Sequence, residues 1–155
     1  VDEQEKKCAL RAAYLAKADL VTNMVYEFPE LQGIMGREYA ARSGEEQGVA
    51  KAIFEHYLPR FAGDDLPGTV AGRILSIADK MDNIVGCFSI GIQPTGSQDP
   101  YALRRQALGI CNILLAGGIE LSLKKMIASA YRCYEGKVQL KLSLEKVTQE
   151  VAEFF

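Results

Sequence analysis

The chain has 155 residues, 48% hydrophobic and 25% charged, which suits a single globular domain with a sizeable core. Eighteen Lys and Arg against twenty Asp and Glu give a formal charge of −2, which excludes nucleic-acid binding by overall charge and leaves only a local basic patch. The longest nearly apolar run, residues 84–92, falls far short of the about 20 residues that span a bilayer. The opening VDEQEKK has no apolar stretch, so no secretory signal is expected, and without an initiator Met the chain reads as a piece of something longer.

Helical periodicity runs through the whole sequence. Leu10, Ala13, Tyr14, Ala18, Val21, Met24, Val25 and Phe28 recur at three- and four-residue steps, predicting one amphipathic helix over 5–26 that is broken at Pro29. A second helix is predicted over 31–42, with Leu31, Met35, Tyr39 and Arg42. Ser43 and Glu46 have capping-box spacing, which predicts the start of a third helix ending near Leu58. After the turn-rich AGDDLPGT, a helix over 69–91 is apolar on most sides, as expected of one in the middle of a bundle. Asp99 and Pro100 are an N-cap and first-turn pair for a fifth helix to about Leu115. Gly117 and Gly118 then separate it from a sixth over 120–134. EGKVQLKLS alternates like a strand but has no partner, so it is read as a connector, and SLEKVTQEVAEFF opens a further helix. Cys8, Cys87, Cys111 and Cys133 form no C-x-x-C pair and lie in apolar helical patterns, which predicts buried thiols in a reducing, cytoplasmic protein.

His56 is the only histidine, and Val49, Ala52, Ile53 and His56 share one helical face, so a core role with hydrogen-bonded ring nitrogens is the first expectation. Metal binding would need carboxylates from other helices. Asp79 shares a helix side with Gly72, Leu75 and Gly86, and Asp19 lies in KAD. Either can equally be a buried carboxylate paired with Arg or capped by backbone.

KADL (17–20), ELQGIMGREYA (30–40), AIFEHYLPRF (52–61) and SIADKMDNIVG (76–86) resemble the helical HD superfamily of metal-dependent phosphohydrolases. The resemblance puts Asp19 at the His-Asp doublet's Asp, His56 at the first member of a His-His pair, and Asp79 at the final Asp. Ala18, Gln32 and Tyr57 stand at or near positions where that family has histidines. One imidazole with two carboxylates lacks most of the nitrogen donors that hold a transition metal, so the resemblance implies a vestigial site and no bound metal.

A narrower resemblance covers at least residues 9–115. KADLVTNMVYEFPELQGIMGREYA, AIFEHYLPRFAGDDLP, ADKMDNIVGCFSIG and PTGSQDPYALRRQALGI resemble, in order, the β subunit of bacterial glycyl-tRNA synthetase. This implies an all-α, HD-domain-like bundle of about six to seven helices over 1–135. Residues 136–155 would be a connector and the start of a following, anticodon-binding-like helical segment. It implies partnership with a catalytic α subunit, tRNA(Gly) and other β-subunit domains, with no membrane. ATP and Mg belong to the α subunit, so no cofactor and no catalytic residue are expected in this piece of the ligase.

The residues agree with that absence. No G-x-x-x-x-G-K-[ST] is present, and Ser97 has no histidine near it in sequence. Arg104, Arg105 and Lys80 are the candidates for nucleic-acid contact, against pairing of one Arg with Asp82 or Asp99 and solvation of the other. Three readings follow: a domain that holds tRNA or neighbouring modules, a residual phosphohydrolase using Asp19, His56 and Asp79, or a scaffold that touches no RNA.

Overall fold

The computed structural model describes residues 1–155, and it is all-α. Eight α-helices occur: α1 Glu3–Leu15, α2 Asn23–Glu27, α3 Ile34–Arg42, α4 Gln47–Glu55, α5 Val70–Ser89, α6 Leu103–Gly117, α7 Leu123–Tyr134 and α8 Leu144–Phe154. Two 3-10 turns, Ala18–Val21 and Pro29–Leu31, lie between α1 and α3. The chain divides into two compact units, Val1–Ile77 and Ala78–Phe155, with the boundary inside α5.

In the first unit α4 packs against both α1 and α3. The seam is made largely of alanine: Ala9, Ala12, Ala16, Ala40, Ala50, Ala52 and Ala71, filled out by Val49, Ile53 and Leu75. Small side chains let helix backbones approach closely, so the smallest residues face inward. This overturns the face read from the large apolar residues of the first helix. Leu10 is 64% exposed, Tyr14 82% and Val21 90%, whereas Ala12 is fully buried. In α3, likewise, Gly36 and Ala40 are buried and Tyr39 is exposed.

The continuous helix expected over 5–26 is also corrected. It stops at Leu15, turns through a 3-10 segment around Asp19, and restarts as α2 with Thr22 as N-cap. Thr22 donates its hydroxyl to Asp19 O at 2.7 Å, and Asp19 itself points into the core. A buried carboxylate must find donors, and meeting them takes precedence over helical continuity. The capping box expected at Ser43 and Glu46 does not form. Ser43 instead closes α3, and Glu46 accepts a hydrogen bond from Gln4 of α1 at 3.0 Å. A reciprocal box does form at α1, between Asp2 and Glu5.

The second unit buries Met81, Ile84, Val85 and Phe88 of α5 with Leu103, Ala107, Ile110 and Ile113 of α6, Ile127 and Tyr131 of α7, and Val147 and Val151 of α8. α7 and α8 pack on one another, and the Phe88 and Phe154 rings lie 5.2 Å apart. The segment between α7 and α8 contains no strand, in keeping with a connector. It is held where Ser89 O accepts from Lys141 N at 2.8 Å and Leu142 N at 3.2 Å, and where Tyr131 Oη donates to Leu142 O at 2.8 Å.

α6 begins later than Asp99 and Pro100 suggest. Its N-cap is Ala102, in left-handed backbone at φ 54°, a conformation that costs a non-glycine residue about 1 kcal/mol. Asp99 still serves the helix, since its carboxylate accepts from Leu103 N at 2.8 Å and Arg104 N at 2.9 Å.

Candidate functional site

Asp19 and His56 both belong to the first unit, and both are tied to backbone. Asp19 Oδ2 accepts from Gly33 N at 2.7 Å and Gly36 N at 3.2 Å, so the carboxylate seats on the N-terminus of α3 and meets its partial positive charge. The two glycines make that approach possible. Gly33 adopts φ 79°, and a Cβ there would lie 2.6 Å from the Tyr57 ring. A Cβ on Gly36 would meet Ile53 Cγ2 at 2.8 Å and Asp19 Oδ2 at 3.1 Å. Asp19 Oδ1 is buried without a hydrogen-bond partner.

His56 closes α4 and is fully buried. Its Nδ1 lies 2.5 Å from Ile53 O, which assigns the proton to Nδ1 as donor. Its ring centroid is 3.8 Å from that of Tyr57, and the Lys17 ammonium sits 4.9 Å from the Tyr57 ring centre. Asp79 lies on α5 in the second unit and is half-buried. No group of three or more His, Cys, Asp and Glu side chains comes together to hold a metal. A transition metal does not fit these residues: one imidazole is present, and one oxygen of Asp19 is spent on two backbone amides.

The three nucleic-acid candidates are placed differently. Arg104 and Arg105 are exposed in the first turn of α6. Lys80 is only 4% exposed, so its ammonium does not join them on an open surface. The start of α6 is not an open anion site either, because Asp99 already occupies the N–H groups of Leu103 and Arg104.

Glu55 is a structural centre that periodicity does not reveal. It is buried, and it accepts from Gly68 N at 3.2 Å, from Thr69 N at 3.0 Å and from the Thr69 hydroxyl. Thr69 Oγ1 in turn accepts from Gly72 N at 3.0 Å, capping α5. Glu55 thus fixes the loop after α4 to the start of α5. The only hint in the sequence is a carboxylate inside the apolar stretch AIFEHYL.

All four cysteines are free thiols. Cys8, Cys87 and Cys111 are half-buried, and Cys133 is exposed, which corrects the expectation of four buried thiols. Burial pushes the Cys8 and Cys87 thiols up, with smaller contributions from the nearby Glu46 and Asp99 charges respectively. Burial also raises the Tyr134 phenol, which donates to Asp82 O at 3.2 Å.

Comparison with known proteins supplies what this geometry alone does not. The chain is similar to the glycine–tRNA ligase beta subunit of Desulforamulus reducens, 66% identical over 154 residues, which are 99% of this chain and 22% of the relative. It is similar to that of Desulforudis audaxviator, 56% identical over 155 residues, covering 100% of this chain and 22% of the relative. It is also similar to that of Clostridioides difficile, 58% identical over 151 residues, 97% of this chain and again 22% of the relative. The chain therefore spans 22% of the length of these curated relatives. Residues 2–155 match the family described as glycyl-tRNA synthetase beta subunit. With that match covering all but the first residue, the chain belongs to the glycyl-tRNA synthetase beta subunit family.

Proposed function

We propose that this chain is a helical, HD-like domain that supports tRNA(Gly) binding and glycine–tRNA ligation by an assembled cytoplasmic synthetase. In this reading an α subunit carries glycine activation with ATP and Mg, and the domain works beside other modules of its own subunit. The observation that carries it is the match over residues 2–155 to the glycyl-tRNA synthetase beta subunit family. The side chains are consistent with a non-catalytic role, since Asp19, His56 and Glu55 each engage backbone groups. Residual phosphohydrolysis draws no support from a donor set that does not fit a metal. No helix is long and apolar enough to cross a membrane.

Within this role, Arg104 and Arg105 are the proposed RNA contact, because they are exposed side by side. The scaffold reading has its own support on the same helix, where Leu108 and Leu115 are exposed and Asp99 fills the N-terminus. The test is Arg104→Ala with Arg105→Ala in the assembled synthetase, by filter binding of tRNA at two salt concentrations beside a melting curve. RNA contact predicts weaker binding, a deficit that shrinks as salt rises, and unchanged melting. Intact tRNA affinity in a properly assembled variant would remove these residues from the RNA surface.

A further inference from the structure

The large apolar residues of the first stretch stay on the outside of the fold. α1 meets α4 through Ala9, Ala12 and Ala16, which leaves Leu10 and Tyr14 on its outer face. The 3-10 turn and α2 bury only Asp19 and Val25, so Leu20, Val21, Met24 and Tyr26 are exposed, as is Phe28 just beyond. At most about 11 Å of chain separates the last residue of α1 from that turn, so the two groups lie close together. Seven of the sixteen exposed large hydrophobic side chains therefore fall in residues 10–28, all within the first unit.

Size and charge decide what covers them. Tyr14 and Tyr26, 82% and 80% exposed, present on the order of 300 Å² between them. With the other five the surface comes to roughly 800 Å², which is what one partner gives to a standard interface and exceeds the ~300–600 Å² of the largest patch on a typical monomer. The exposed charged side chains of the same stretch are Arg11, Lys17 and Glu27. Arg11 is held by Glu45 at 2.5 Å, and the Lys17 ammonium sits over the Tyr57 ring. No concentration of positive charge is left here for a phosphate backbone, so the surface suits protein better than RNA.

An apolar surface of this size fits a cover that is never removed. The chain is 22% of the length of its curated relatives, which leaves 78% of such a subunit as further polypeptide. Covalent attachment gives that polypeptide an effective concentration that a separate partner lacks. We propose that the surface formed by Leu10, Tyr14, Val21, Met24, Tyr26 and Phe28 is an interdomain interface, covered by an apolar, uncharged face of the same subunit outside residues 1–155. The proposal rests on this surface and on the chain's share of its relatives, not on an RNA contact at Arg104 and Arg105.

The test uses the full-length subunit in its assembled enzyme, with Leu10 and, separately, Val21 replaced by a diazirine analogue of leucine. Both side chains are exposed, so neither replacement disturbs packing within residues 1–155. Light- and heavy-isotope subunits are mixed before assembly, and peptide mass spectrometry then separates links within one copy from links between copies. Both positions should link, within one copy, to peptides outside residues 1–155. Val21→Asp with Tyr26→Asp should lower the yield from position 10 about tenfold or more, because an unpaired charge resists burial. Links that reach only an α subunit, a second copy of this subunit, tRNA or residues 1–155 would overturn the proposal, as would the absence of any link. An undiminished yield in the double variant would overturn it too. Glycylation measured on the same samples reports on the proposed function, and its loss with the link retained would leave the interface standing.

Discussion

Replacing Asp19 probes the interaction that breaks the first helical stretch and seats α3. In Asp19→Ala the N–H groups of Gly33 and Gly36 lose their acceptor in a buried place. Each buried donor left unpaired costs about 1–3 kcal/mol. The same change removes Oδ1, a buried carboxylate oxygen with no partner, and so relieves about 1–3 kcal/mol of desolvation. Two losses against one gain leave a net destabilisation of about 1–3 kcal/mol. Asp19→Asn keeps an acceptor oxygen for the two amides and gives up mainly the attraction of a full charge to the α3 N-terminus, about 1 kcal/mol. The expected order of stability is therefore parent, then Asn, then Ala. Urea unfolding followed by circular dichroism measures it, with the midpoint moving while the slope stays constant. If Asp19→Ala unfolds at the parental midpoint, the carboxylate does not anchor α3. If Asn is no better than Ala, charge outweighs hydrogen bonding and the partition above is wrong.

Two further outcomes follow from single side chains. Hydrogen bonds and charge from Arg60 hold the Asp64 carboxyl down to about 2, from an ordinary value of 3.8. Because the folded value is the lower one, the stabilisation is fully present above the unfolded value and is lost as pH falls through about 2. Asp64→Asn should flatten stability between those two pH values by no more than about 1 kcal/mol, since Arg60 is solvent-screened; an unchanged acid profile would count against the pair. In a thiol-labelling time course on the native protein, Cys133 should react first, because it is exposed while burial raises Cys8 and Cys87. Cys133→Ser should remove the fast phase, and a fast phase that survives would place the reactive thiol elsewhere.

The helical class, the long apolar helix α5 and the burial of His56 could be read without the fold. α5 was legible because Met81, Ile84, Val85 and Phe88 recur at three- and four-residue steps on one helical face, and all four are buried. His56 was legible because it shares a face with Val49, Ala52 and Ile53, and all four are buried. Ser122 and Ser143 cap α7 and α8 through backbone N–H groups only three residues ahead, which makes such helix starts local events. Family membership was legible too, carried by runs of residues whose order no packing rule predicts.

Tertiary structure decided the rest, for reasons of competition and size. Hydrophobicity ranks Leu10 and Tyr14 above alanine, but close packing of α1 on α4 rewards small side chains, so the alanine face went inward. The break at Asp19 depends on amides of Gly33 and Gly36, fourteen and seventeen residues away, which no local window contains. Ser43 and Glu46 had the spacing of a cap, yet α3 needed Ser43 at its end and Glu46 turned to Gln4. Asp99 was recognisable as a capping residue, but Ala102 took the N-cap position and Asp99 reached Leu103 and Arg104 from further back. Lys80 carries the same charge as Arg104, and only the packing of α5 shows it to be buried while the arginine meets solvent.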